Sequence, residues 1–187
     1  MLTVSTVSII GTCGRSNKEL LNLNVYNKMI ERAKYIIEKE FKLDPKNIML
    51  VSGGAAWSDH IVISLYLENY VNQAKLYLPT EFDNITKKYK ENNSKYDAGR
   101  VSNYYHKLFS DKTKINSLAQ IGDSISKGII IDNSENGFKN RNTKVAESDY
   151  MIAFSFSDSN EPTDGGTYDT WTKSKSKNKK HVSIRKL

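Results

Sequence analysis

The chain of 187 residues has a single cysteine, Cys13, so no internal disulfide can form and a reducing, cytoplasmic setting is the simpler expectation. It has no apolar run near the roughly 20 residues needed to span a bilayer, so no membrane partner is expected. Leu2 to Ile10 is short, carries Thr and Ser and lacks a basic flank, so it reads as a strand rather than a signal peptide. No H-x-x-x-H or C-x-x-C spacing occurs, and His60, His106 and His181 are far apart in sequence, which argues against zinc or any other metal. Two phosphate-binding signatures are also missing. No G-x-G-x-x-G follows a strand, against a conventional NAD site, and no G-K-[ST] is present, against a P-loop NTPase. There is no internal repeat or heptad array. No cofactor is implied.

What is present is a mixed, basic chain. Hydrophobic residues make up 38% and charged residues 26%, a balance for one globular domain, 1–187. The net charge is +7, and the excess is partly local: Lys173, Lys175, Lys177, Lys179, Lys180, Arg185 and Lys186 crowd the C-terminus. A solvated face and tail explains that better than a nucleic-acid patch, and an anionic small ligand needs no polymer partner.

Hydrophobic periodicity gives an alternating order. A strand to Ile10 is followed by a helix from about Asn24 to Phe41, with Tyr26, Met29, Ile30, Ala33, Ile36 and Ile37 at three- and four-residue steps. Asn47–Val51 is a second strand, Ser58 to Tyr70 a second helix and Ala74–Leu78 a third strand ended by Pro79. Residues 80–136 are polar and exceed an ordinary loop; they read as an insertion over the carboxyl edge of the sheet, with helices near 102–109 and 114–126 and an apolar run at 129–131 that is either an extra strand or a core plug. A helix from Gly137, a strand over Asp149–Phe156, a helix from Gly165 and a strand over His181–Ile184 complete the chain. Strands alternating with helices over short connections imply a parallel sheet with right-handed crossovers.

Three glycine turns sit at the ends of these strands, where an α/β sheet binds phosphate. In the first, Gly11-Thr12-Cys13-Gly14-Arg15, the Arg15 guanidinium either grips a phosphate or pairs with a surface carboxylate. Cys13 is either a small buried residue or a thiolate stabilised near a helix start. The second, Ser52-Gly53-Gly54-Ala55, leads to Trp57 and Asp59. Trp57 either stacks on a base or fills the core, and Asp59 either caps the next helix or holds a ribose hydroxyl. The third, Asp164-Gly165-Gly166-Thr167, offers backbone N–H groups and a hydroxyl to a phosphate, with Asp164 and Asp169 as acid/base candidates or helix-start acids. Asn140-Arg141-Asn142 lies near another helix start, where Arg141 is a second phosphate-binding cation or a surface residue.

In order, Gly-Thr-Cys-Gly-Arg-Ser, Val-Ser-Gly-Gly-Ala-Ala-Trp-Ser-Asp, Phe-Lys-Asn-Arg-Asn and Asp-Gly-Gly-Thr-Tyr-Asp-Thr resemble the motifs of the SLOG superfamily, in its YspA-like (DUF2493-type) branch. The resemblance covers about Val4–Pro79 and Gly137–Ile184, not the middle segment. It implies an α/β, Rossmann-like three-layer sandwich with a mainly parallel sheet and an insertion after the third strand. It also implies nucleotide or nucleotide-derived ligands, bound by a sensor or sequestering protein, and a homo-oligomer. The related LOG-like enzymes cleave the N-glycosidic bond of nucleoside monophosphates with an arginine and a P-G-G-x-G-T-x-x-E motif. Here that arginine corresponds to Arg141, while Thr170 stands at the catalytic Glu position and Asp169 is one residue off. If the chain is an enzyme, Arg141 with Asp169 or Asp164 is expected to carry catalysis.

Overall fold

A computed structural model describes residues 4–187; Leu2 and Thr3 of the first predicted strand lie outside the described residues. Its centre is a six-stranded sheet, parallel throughout. The strands are β1 (Ser5–Gly11), β2 (Ile48–Ser52), β3 (Gln73–Tyr77), β6 (Ile130–Asp132), β7 (Tyr150–Ser155) and β8 (Asn178–Ser183), in the spatial order β6-β3-β2-β1-β7-β8. The helices between them are α1 (Leu23–Tyr35), α2 (His60–Leu67), α3 (Ala98–Thr113), α4 (Ser117–Lys127), α5 (Phe138–Val145) and α6 (Gly165–Lys173). A two-stranded hairpin, β4 (Phe82–Asp83) and β5 (Lys88–Tyr89), follows β3. This is an α/β, Rossmann-like three-layer sandwich, with the parallel sheet expected from the alternation.

Each strand serves both helix layers because its side chains alternate. On β1, Val7 and Ile9 join the core beneath α1, α2 and α4, while Ile10 joins a smaller core with Val145 of α5 and Trp171 of α6. On β7, Ile152 and Phe154 go one way and Met151 and Ala153 the other. The chain runs outward from β1 through β2 and β3 to β6, then crosses back through α5 to the opposite side of β1. The strand order therefore reverses between β1 and β7.

Capping explains several boundaries that periodicity placed a few residues off. Asn22 accepts a hydrogen bond from the Val25 N–H at 3.0 Å and starts α1. A π-helical turn, Ile36–Glu40, carries that helix to its end near Phe41. Asp97 accepts from the N–H groups of Asn92, Gly99 and Arg100, which pull its carboxyl below the usual range, and starts α3. Asn116 accepts from Ala119 and starts α4, which Gly128 ends at φ 100°.

Two expectations need correction. Residues 80–136 are not only a cover over the sheet edge, because α4 packs on α2; of the two readings of 129–131 the structure has the extra strand, β6, paired with β3. The strand expected over His181–Ile184 is β8, which starts earlier, at Asn178, and pairs with β7 along its length, so less of the basic C-terminus is tail than its lysines suggest. Its lysines are used locally: Lys180 pairs with Glu40 at 2.9 Å and Lys179 lies over the Trp171 ring. Among the described residues, no helix is long and apolar enough to cross a membrane.

Candidate functional site

Beyond the carboxyl ends of β1 and β7 lies a cleft of about 650 Å³. It sits where the strand order reverses, the place where open α/β sheets leave a crevice. Glycine makes the close approach there possible. A Cβ on Gly11, which has φ +154°, would lie 2.1 Å from the Phe154 carbonyl oxygen and 2.5 Å from Ser58 Oγ. The Thr12 N–H then donates to that same carbonyl at 3.0 Å.

The floor of the cleft is a buried ion pair. Arg141 of α5 donates from Nη1 to Asp59 Oδ2 at 3.2 Å, and both residues are almost fully buried. That same carboxylate oxygen accepts from the N–H groups of Gly53 and Ala55. Burial pushes the Asp59 carboxyl up, opposed by Arg141 and those two N–H groups. Arg141 has five N–H donors and makes one hydrogen bond to the described residues; its Nε is buried without a partner. An unmatched buried donor is expensive, so the guanidinium is set up for an acceptor that comes from outside.

Beside it the N-terminus of α6 opens onto the cleft through Gly165, Gly166, Thr167 and Thr170. Gly165 has φ +64°, and a Cβ there would meet nothing. The Asp164 carboxylate does not cap the helix, so it leaves the first N–H groups to the cleft. Arg15 reaches the cleft from the β1 turn and makes no ion pair among the described residues, which removes the alternative of a surface pair. Arg185, which follows β8, donates to the Phe156 carbonyl and to Asn17 Oδ1 and brings a third guanidinium. Against three arginines the cleft has two lining carboxylates, Asp59 and Asp164, and Asp59 is already matched. The surplus is positive and suits an anion.

The structure thus brings together Gly11, Thr12, Arg15, Ala55, Asp59, Arg141, Asp164, Gly165, Gly166 and Thr167. It places the other candidates elsewhere. Trp57 does not face the cleft: it adopts φ 63° and turns its ring into the core, 4.8 Å from the centre of Phe109 and edge-on to it. Gly14 lies beneath that indole. Ser52, Gly53 and Gly54 lie behind the ion pair: the Arg141 guanidinium covers Gly53, and the Gly54 carbonyl accepts from the Tyr89 hydroxyl at 2.6 Å and from His106 Nε2 at 2.9 Å. Asn140 is exposed, and its neighbour Asn142 lines the cleft instead. Asp169 is bound to Lys173 and Asn142 and does not line the cleft. Asp59 makes no side-chain cap to α2, because its carboxylate serves Arg141 and the turn. At Cys13, burial raises the thiol above its ordinary range despite Arg15, so it is held as a thiol.

Sequence reasoning missed Tyr105, Phe138, Asn142 and Arg185. Of these, Phe138 and Asn142 stood inside a quoted motif, whereas Tyr105 and Arg185 did not. His60 and His106, remote in sequence, are neighbours with ring centres 5.8 Å apart. Among the described residues, no group of three or more His, Cys, Asp or Glu could hold a metal ion.

The chain is similar to the uncharacterized protein R261 of Acanthamoeba polyphaga mimivirus, 39% identical over 181 residues that cover 95% of each chain. No protein-family model matches the chain.

Proposed function

The chain belongs to one family with that mimivirus protein, middle segment included, and from that premise we propose that it binds a nucleotide or nucleotide-derived anion in the β1–β7 cleft, as a SLOG-like sensor or sequestering protein. The observation that carries this is Arg141: a buried guanidinium with unmatched donors, beside an open helix N-terminus at the switch point of a parallel sheet. Phosphate oxygens would complete both groups. The Asp59 carboxyl, held by Arg141 through Oδ2, offers an acceptor to a sugar hydroxyl.

The N-glycosidase reading receives no support from the carboxylates. Thr170 lines the cleft where the LOG-like enzymes place Glu, and its hydroxyl is spent on the Gly166 carbonyl at 2.9 Å. Asp169 is engaged off the cleft, and Asp164 is exposed at its rim.

Isothermal titration with nucleoside monophosphates, alongside mass spectrometry of small molecules released on denaturation, tests the proposal. Arg141→Ala should weaken the bound monophosphate about tenfold to a hundredfold, the range for a hydrogen bond to a charged group. Free base accumulating from AMP would overturn the binder reading in favour of hydrolysis. Absence of any bound nucleotide would overturn both.

A further inference from the structure

Two arginines of the cleft lie against two of its aromatic rings. The Arg15 guanidinium carbon is 5.7 Å from the centre of the Tyr105 ring, and that of Arg141 is 5.6 Å from the centre of the Phe138 ring. Both rings, with Val101 and Phe156, line the cleft and are half-buried. An anion has no use for these apolar surfaces, since cations and backbone N–H groups hold it. A planar unsaturated ring does use them, because it stacks on aromatic faces and on guanidinium planes alike.

Tyr105 is firmly placed for that purpose. It stands on α3 next to His106, whose Nε2–H donates to the Gly54 carbonyl, and four residues before Phe109, which is fully buried against Tyr26 and Trp57. Asp97 ties down the start of the same helix. Phe138 flanks the guanidinium that the anion would occupy, whereas Tyr105 is paired with Arg15, which has no carboxylate partner among the described residues. The ring therefore stays where the middle segment sets it, facing the cleft.

We propose that Tyr105 is a specificity-determining residue of the cleft: it stacks on a planar heteroaromatic ring of the ligand while Arg141 and the α6 N-terminus hold the ligand's phosphate. This rests on the nucleotide-binding reading and adds to it the origin of ring selectivity, in a segment outside the SLOG resemblance.

Titration of AMP, GMP, CMP, UMP and ribose 5-phosphate against the full chain tests it. At least one monophosphate should bind about fivefold or more tightly than ribose 5-phosphate, the low end for one stacked base. Tyr105→Leu, which keeps apolar bulk but loses the ring, should abolish that advantage and leave ribose 5-phosphate unchanged. Tyr105→Phe should retain it, as should Tyr96→Ala, an exposed tyrosine that does not line the cleft. If Tyr105→Leu weakens ribose 5-phosphate as much as the monophosphate, or if the wild-type chain shows no preference over ribose 5-phosphate, the stacking role is overturned while the anion site stands. If neither kind of ligand binds the wild-type chain, the nucleotide reading falls and this proposal with it.

Discussion

Gly53 and Gly166 both read in the sequence as phosphate-turn glycines, yet they do different work. A Cβ on Gly53 would lie 1.1 Å from Arg141 Nη1, so that glycine exists to let the guanidinium lie flat on the turn and reach Asp59. Gly53→Ala should displace Arg141, lower stability by about 1–3 kcal/mol as an overpacked site does, and weaken monophosphate binding about as much as Arg141→Ala does. At Gly166 an added Cβ meets only Asn142 Nδ2, at 3.7 Å, an ordinary contact. Gly166→Ala should leave the denaturation midpoint unchanged and weaken the ligand alone. Chemical denaturation and titration on the two variants separate these outcomes, and equal behaviour would contradict the assigned roles. The glycines were legible because turn chemistry is local. Their division of labour was not, because it depends on a side chain 88 residues on for Gly53 and on an open helix end for Gly166.

Between elements, the junction of α2, α3 and α4 holds two buried imidazoles. His60 Nε2 meets Gln120 Oε1 at 2.7 Å and its Nδ1 is unpartnered, while His106 bridges Ser117 and the Gly54 carbonyl. Burial pushes His60 down to about 3 and His106 to about 4, with the neighbouring ring adding to the shift at His60. Both stay neutral in the folded chain while imidazoles of the unfolded chain take up protons below about pH 6.5. The unfolded state then binds more protons, so stability falls as pH drops from about 6.5 toward 4, by up to about 1.4 kcal/mol per pH unit for each imidazole. Urea denaturation across that window should show the loss, and a His60→Gln, His106→Gln double variant should flatten it. A slope unchanged in the double variant would place the sensitivity elsewhere. This junction was hardly legible in advance. The helices near 102–109 and 114–126 were visible as fragments, and an extra strand at 129–131 was one of two readings, but the helices' polar composition hid that α4 packs on α2.

On the scale of the whole molecule, the cleft joins residues from both ends of the chain, from Gly11 to Arg185, so an occupant ties the two halves of the sheet together. A monophosphate at about a hundred times its dissociation constant should add about 2.7 kcal/mol to stability, an upward shift in melting temperature of about 5–10 °C for a chain of this size. Thermal melts should show this in the wild-type chain and not in Arg141→Ala, and a ligand that shifts both equally is not bound at Arg141.

The sequence by itself determined the α/β alternation, the apolar faces of the strands and helices, and the glycine turns at the strand ends. All of these follow from propensities and periodicities within a few residues. Only the tertiary structure decided the strand order and its reversal between β1 and β7. It also decided the inward turn of Trp57, the withdrawal of Asp169 and the meeting of Arg141 with Asp59 across 82 residues. The physical reason is range. A pattern within one element says which face will be buried, whereas the partner that buries it, and the charge left unmatched once it does, are set by packing between segments that no local period connects.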